Sequence, residues 1–203
     1  CEFNYIPGNE NYIGKDYYSQ YYERRNTESS LKLNNLRRDQ YKLDANWLSK
    51  YMTNDKRILD VGCSSGVFLS EIYKITKSKY LSGIDIDKSA IIEAKKHLSD
   101  VAEFRNKRLL EVFDKFDLII FRGSFQYLDK VLHRSIKHLK GMLNHNGKII
   151  IYSLPTTDSF VYHLLKDKWA LFHPEMSLMF NQKSLEHLLG LHSLNISRLD
   201  YPY

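Results

Sequence analysis

The residues best suited to chemistry in this 203-residue chain lie between Asp60 and Gly66, in the order Asp-Val-Gly-Cys-Ser-Ser-Gly. The apolar run from Ile58 to Val61 precedes the turn and is too short for a helix, so it predicts a buried strand that ends at Gly62. Apolar residues at helical spacing follow, namely Phe68, Leu69, Ile72 and Ile75. A strand, a turn of small residues and a helix present free backbone N–H groups beside the Asp60 carboxylate. This arrangement suits a bound nucleoside or an anionic group.

Two other kinds of site use a similar turn, and the sequence argues against both. A dinucleotide site has Gly-x-Gly-x-x-Gly, but Ser64 and Val67 occupy the second and third glycine positions. A nucleophile elbow has Gly-x-Ser-x-Gly, which the turn does spell, yet no His-Gly-Gly type segment precedes this first predicted strand. The pattern Asp-x-Gly-x-(Gly/Ser)-x-Gly of S-adenosylmethionine (SAM) sites is satisfied at every position. We therefore interpret the turn as a SAM site.

Three further stretches accompany this turn, and all four occur in the order and spacing of one protein family. The stretches are Gly83 to Asp87, Phe116 to Leu128 and Asn146 to Tyr152. With the turn, they resemble the motifs of class I SAM-dependent methyltransferases over roughly residues 56–154. The resemblance implies an α/β, Rossmann-like, doubly wound and mostly parallel sheet of six to seven strands with helices on both faces. It also implies S-adenosyl-L-methionine as cofactor and S-adenosyl-L-homocysteine (SAH) as product.

The resemblance also assigns contacts to the cofactor. Asp85 lies 23 residues beyond Gly62, where a carboxylate at the end of a strand can accept from both ribose hydroxyls, whereas Asp87 is interpreted as a helix N-cap. Asn106 stands where relatives read the adenine amino group, and Arg122 is either a cofactor contact or half of a structural ion pair. The expected contacts are Asp60, Gly62, Cys63, Ser64, Gly66, Asp85, Ile86, Asn106, Arg122, Gly123 and Gln126, of which Gln126 stands near the methyl group in relatives.

The first 28 residues are rich in tyrosine and are expected to form a cap segment before a methyltransferase domain at residues 29–203. Tyr17, Tyr18 and Tyr21 either line the cofactor and acceptor pocket or pack the segment onto the sheet with their hydroxyls in water. An aromatic face stabilises a sulfonium cation by about 0.5 to 2 kcal/mol. The first residues resemble the join to a zinc ribbon in a subgroup associated with sugar and polysaccharide modification. Cys1 alone cannot hold zinc, so no metal is expected.

Residues 155–183 form a long aromatic stretch that we expect to act as a lid over the acceptor pocket. Trp169 is expected at that pocket. His173 is the candidate general base, and the alternative is a packed histidine beside Pro174. The departure at Met176, where relatives usually carry histidine, leaves the identity of the base open.

Flanking elements are predicted from periodicity. Between Ser30 and Tyr51, the residues Leu36, Leu43, Trp47 and Tyr51 predict one face of a helix that covers the sheet. The stretch from Val101 to Phe104 predicts a weak third strand. Near the end of the sequence, Ser184 to Leu189 predicts a short helix and Leu194 to Tyr201 predicts a sixth strand.

Composition limits the classes of protein to which the chain can belong. No run approaches the roughly 18 to 20 apolar residues of a membrane span, and two cysteines, Cys1 and Cys63, make no disulfide framework, which favours the cytoplasm. The net charge of +6 is dispersed, so nucleic acid is not expected as a partner. The expected function is transfer of the SAM methyl group to a small molecule or a sugar of a glycan, by O-methylation. The alternatives are an inactive SAM-fold scaffold and a nucleic-acid methyltransferase.

Overall fold

The computed structural model describes residues 4–5, 28–128, 131–169, 176 and 178–200. Its helices are α1 (Glu28–Leu48), α2 (Val67–Thr76), α3 (Lys88–Leu98), α4 (Leu132–Met142), α5 (Phe160–Leu165) and α6 (Gln182–Leu191). Its strands are β1 (Asn4–Tyr5), β2 (Ile58–Val61), β3 (Leu81–Asp85), β4 (Glu103–Asn106), β5 (Phe116–Arg122), β6 (Leu143–Tyr152) and β7 (Leu178–Met179). None of these helices is both long and apolar enough to cross a bilayer.

Five parallel strands form the main sheet in the order β4-β3-β2-β5-β6. The central strand β2 pairs with β3 on one side, where Asp60 lies opposite Gly83, and with β5 on the other, where Asp60 lies opposite Ile120. The order of the strands therefore reverses at β2, and open α/β sheets bind ligands at the carboxyl ends of the strands at such a point. The doubly wound parallel fold is confirmed, and the described residues place five strands in the sheet rather than six to seven.

Each face of the sheet buries its own apolar cluster. Helices α1, α2 and α3 contribute to the cluster around Leu118 and Ile120, whereas α4 and α6 contribute to the cluster around Ile119 and Phe121. Alternate residues of β5 thus enter opposite clusters, which explains why this strand is apolar without interruption from Leu118 to Phe121. Burial on both faces fixes the register of β5, and with it the position of the segment that follows at the edge of the sheet.

The predicted sixth strand is wrong within its described part, because residues 194–200 form no strand. Their alternating pattern instead serves packing, since Leu194 and Ile196 lie against the apolar cluster on the α4 and α6 face. An antiparallel pair outside the main sheet is formed by β1 and β7, with Asn4 opposite Met179. The third strand begins two residues later than expected, at Glu103.

The predicted apolar face of α1 is also wrong at one position. Leu43 is 58% exposed, whereas Asp44, Ala45 and Leu48 are fully buried. The buried side of the helix is therefore rotated relative to the predicted face, and it includes Asp44, whose carboxylate has polar partners inside the protein.

Candidate cofactor site

The turn after β2 depends on two glycines. Gly62 and Gly66 have φ angles of +80° and +78°, in the left-handed region that side chains disfavour. A Cβ on Gly62 would lie 2.7 Å from Ser124 Cβ, and one on Gly66 would lie 2.6 Å from the Phe104 ring. The N–H groups of Gly62 and Cys63 both donate to the Ile84 carbonyl oxygen, at 2.9 and 3.0 Å. The turn is thus fastened to β3, and α2 begins directly after it.

Asp85 closes this turn from the end of β3. One carboxylate oxygen accepts from the Ser64 N–H at 2.8 Å and the other accepts from the Asp87 N–H at 2.9 Å. Burial raises the pKa of Asp85 above its ordinary value, and these two backbone hydrogen bonds oppose that rise. The N-cap prediction for Asp87 is confirmed, since its side chain accepts from the N–H groups of Ser89 and Ala90 at the start of α3.

Asp60 is a buried carboxylate in β2, and one of its oxygens has no hydrogen-bond partner within the described ranges of the chain. Its side chain is 2% exposed, and Oδ1 receives no hydrogen bond from the residues that the structure describes. The pKa of Asp60 is raised to about 7, chiefly by burial. The positive charge of Arg122 opposes this rise, and the negative charge of Asp85 adds to it. A buried acceptor without a donor costs free energy, which indicates that a donor is supplied by a bound molecule.

Arg122, at the end of β5, forms the structural ion pair that the sequence left as one of two possibilities. Its Nε donates to Asp44 Oδ2 at 2.7 Å, and its guanidinium lies over the rings of Tyr41 and Phe68, at 4.2 and 5.5 Å from their centroids. The contact with cofactor expected for Arg122 stays a prediction, because its pairing with Asp44 neither requires such a contact nor excludes it.

Sequence reasoning missed Asp44, which is fully buried in α1. Its carboxylate accepts from Gln40 Nε2 at 2.7 Å and from the Tyr152 hydroxyl at 3.0 Å, in addition to Arg122. No motif marks this residue. The available signal is weak: a carboxylate one residue before Ala45 and four before Leu48, on the side of the helix that faces the sheet.

The segment after β5 brings a second unpartnered acceptor to the same edge of the sheet. Gly123 has a φ angle of +65°, and its N–H donates to the Tyr152 carbonyl oxygen at 2.9 Å. The buried Gln126 donates through Nε2 to the Gly123 carbonyl oxygen at 3.0 Å, while its Oε1 has no partner among the described residues. Asp60 and Gln126 thus each have a buried side-chain oxygen that accepts no hydrogen bond from the described residues.

The other predicted contacts lie beside β3. Asn106, at the end of β4, donates through Nδ2 to the carbonyl oxygens of Asp85 and Ile86, at 2.9 and 3.0 Å. Both hydrogens of its amide are thereby used, and its carbonyl oxygen is left to accept from a ligand. Cys63 is 4% exposed, and burial and the neighbouring carboxylates raise the pKa of its thiol, so the thiol stays protonated and packs under Gly83.

The acceptor side is described only in part. Trp169 is half-buried, and its ring centroid lies 6.3 Å from that of Tyr162 in α5. The expected residues Tyr17, Tyr18, Tyr21 and His173 lie outside the described residues, so their roles stay predictions.

Comparison with known proteins agrees with this geometry. A family model described as a methyltransferase domain matches residues 34–197. The chain is 29% identical over 133 residues to malonyl-[acyl-carrier protein] O-methyltransferase 1 of Ilyobacter polytropus, covering 62% of this chain and 46% of that protein. It is 30% identical over 116 residues to ribosomal protein L11 methyltransferase of Thermotoga neapolitana, covering 51% and 44%. The chain thus spans less than half the length of these two curated relatives.

Among solved structures, magnesium protoporphyrin IX methyltransferase from Synechocystis PCC 6803 with bound SAH superposes with a TM-score of 0.66 at 16% identity. The superposition covers 92% of this chain and 88% of the other. At this level of identity the likeness concerns the fold.

Proposed function

Because this chain belongs to the methyltransferase domain family, we propose that it binds SAM at the carboxyl ends of β2, β3 and β5 and transfers the methyl group to an acceptor. The observation that carries the proposal is the pair of carboxylates at the ends of two neighbouring strands. Asp60 has a buried oxygen to which none of the described residues donates, and Asp85 borders the glycine turn that precedes α2.

Each of these groups matches a part of the cofactor. Each carboxylate oxygen of Asp85 accepts a hydrogen bond from the backbone, and the remaining lone pairs can accept from ribose hydroxyls. The carbonyl oxygen of Asn106 can accept from the adenine amino group. Asp60 can accept from the ammonium group of the methionine part, which supplies the donor that its Oδ1 lacks.

Catalysis then depends on alignment. The SAM sulfonium makes its methyl group electrophilic. The chain orients the acceptor nucleophile in line with that group and excludes water, and such positioning supplies most of the acceleration. A hydroxyl acceptor must also lose a proton, and we assign that proton to His173 as general base.

For the acceptor, we propose a small hydroxylated molecule or a sugar of a glycan, methylated in the cytoplasm. The support is the resemblance of Arg122-Gly-Ser-Phe-Gln-Tyr-Leu128, and of the first residues, to the subgroup associated with a zinc ribbon. The named relatives act on malonyl-[acyl-carrier protein] and on a ribosomal protein, which illustrates how widely acceptors differ within one fold.

The test of cofactor binding is calorimetry with SAH and with methylthioadenosine, which lacks the amino-acid part. The parent protein is expected to bind SAH more tightly than methylthioadenosine. Asp60→Asn should reduce that preference by about tenfold, since one charged hydrogen bond is worth about 1.5 to 3 kcal/mol. Asp100→Asn, at an exposed carboxylate, is the matched control. No binding of SAH by the folded parent protein would refute the proposal.

The test of turnover uses SAM with a labelled methyl group and a panel of sugar nucleotides, glycans and hydroxylated acids. Label is expected in at least one acceptor. If cofactor binds and none of the panel is methylated, the assignment of a sugar or small-molecule acceptor is wrong.

A further inference from the structure

Arg122 is a single cation that interacts with two buried carboxylates. Asp44 accepts its Nε–H at 2.7 Å, and Asp60 lies close enough for the guanidinium charge to lower its pKa. Asp60 nevertheless receives no hydrogen bond at Oδ1 from the part of the chain that the structure describes. The guanidinium is therefore paired with Asp44, and its positive charge favours the ionised form of Asp60.

We propose that Asp44 is a positioning residue for the cofactor site: it holds Arg122 away from direct pairing with Asp60, so that Asp60 keeps an oxygen for the ammonium group of SAM. This inference rests on the proposed function.

Three elements fix the Asp44 carboxylate. Gln40 donates from the preceding turn of α1, Tyr152 donates from the end of β6, and Arg122 donates from the end of β5. Donors from separate elements define one orientation of a carboxylate, and charge-assisted bonds in a buried place are the strongest of this kind.

The guanidinium is also held by its faces. The ring of Tyr41, from α1, and the ring of Phe68, from α2, both lie against it, and the two rings have centroids 6.4 Å apart. Arginine pairs with carboxylates through a planar fork, so a guanidinium held at its edge and its face has little freedom to turn toward another partner.

Loss of the Asp44 charge changes which carboxylate Arg122 pairs with. A largely buried cation whose partner is removed is strongly destabilised, and Asp60, which lies opposite Ile120 of the strand that ends at Arg122, is a carboxylate that this charge influences. Direct pairing would fill the Asp60 oxygen and lower the pKa of Asp60. Among the described residues, the other charged or titratable groups coupled to Asp60 are Asp85 in β3 and the Cys63 thiol in the turn, and the substitution leaves both unchanged.

The experiment measures the affinity of the full chain for SAH by calorimetry between pH 5.5 and 9. In the parent protein, affinity is expected to rise as pH increases through about 7, where Asp60 ionises. Asp44→Asn should weaken binding at pH 8 by about tenfold or more and move the midpoint of the pH profile downward. Asp39→Asn, an exposed acid that pairs with Lys42 on the same helix, should change neither.

Two further variants separate positioning from packing. Adding Arg122→Met to Asp44→Asn removes the competing cation, so affinity at pH 9 should recover relative to the single variant. Tyr152→Phe removes one donor from Asp44 and leaves its charge, so it should move affinity and midpoint in the same direction by a smaller amount. If Asp44→Asn does not fold, the Tyr152→Phe variant still tests the inference.

If Asp44→Asn binds SAH more weakly but the midpoint of its pH profile is unchanged, Asp44 serves packing alone and the inference is wrong. A double variant that binds no better than Asp44→Asn, or a midpoint that moves upward, would also overturn it. Failure of the parent protein to bind SAH would instead refute the proposed function and this inference with it.

Discussion

The Asp85 carboxylate accepts the backbone N–H of Ser64 at 2.8 Å, so the end of β3 closes the turn that follows β2. The same side chain thus shapes the turn and, in the proposed function, binds ribose. Asp85→Asn should lower affinity for SAH by about tenfold to a hundredfold, because at least one charge-assisted hydrogen bond is lost.

Calorimetry with SAH tests this prediction, with Asp100→Asn as the matched exposed control. Unchanged affinity in a folded Asp85→Asn protein would show that the carboxylate only supports the turn.

Asp60 should make stability depend on pH. Its pKa is about 7 in the folded protein against an ordinary value of 3.8, so the folded chain holds an extra proton between these values. The contribution of Asp60 to the free energy of unfolding therefore falls as pH rises from about 4 to about 7 and is constant above. The loss amounts to roughly 4 kcal/mol at most.

Asp60→Asn removes this titration. Without ligand, it should raise the melting temperature at pH 8 and raise it less at pH 5. Asp39→Asn provides the comparison, since its carboxylate is exposed. An equal change at both pH values would contradict the assigned pKa.

Gly66 should not tolerate a side chain. Gly66→Ala places a Cβ 2.6 Å from the buried Phe104 ring at a φ of +78°, so a loss of about 2 kcal/mol or more is expected in denaturant unfolding. The control is Gly190→Ala in α6, where no atom lies within 4 Å of the added Cβ. That variant should gain up to about 1 kcal/mol from helix propensity. Similar effects of the two changes would refute the role of the turn conformation.

Asn106 should matter through the backbone that it holds. Asn106→Ala removes two hydrogen bonds, to the carbonyl oxygens of Asp85 and Ile86, and should cost about 1 to 3 kcal/mol of stability. Affinity for SAH should fall as well, because Asp85 loses a fixed neighbour. Lys107→Ala, at the next exposed residue, is the control. Thermal melting and calorimetry together check the result, and parent-like values in both would contradict it.

Local pattern was sufficient to predict the strand, turn and helix around Asp60 and the N-cap at Asp87. The reason is that the glycines of the turn and the cap carboxylate act on backbone within a few residues of themselves. The strand predicted from Leu194 onward was wrong because apolar side chains recur both in a segment that packs against an apolar cluster and in a strand that pairs in a sheet.

The role of Asp44 could not be predicted in this way. Its partners Arg122 and Tyr152 lie 78 and 108 residues further along the chain, and only the folded sheet brings them to α1. A sequence pattern reports the periodicity of an element, whereas a buried polar network depends on which elements become neighbours.

The Cys63 thiol, sealed beneath Gly83 and kept protonated, offers a built-in reporter for the turn. A thiol reagent can reach it only when the backbone between β2 and α2 opens. The alkylation rate of the peptide that contains Cys63 therefore reports how often the turn opens. Saturating SAH should slow that rate, and the extent of slowing would measure how much a bound ligand stabilises the turn against local opening.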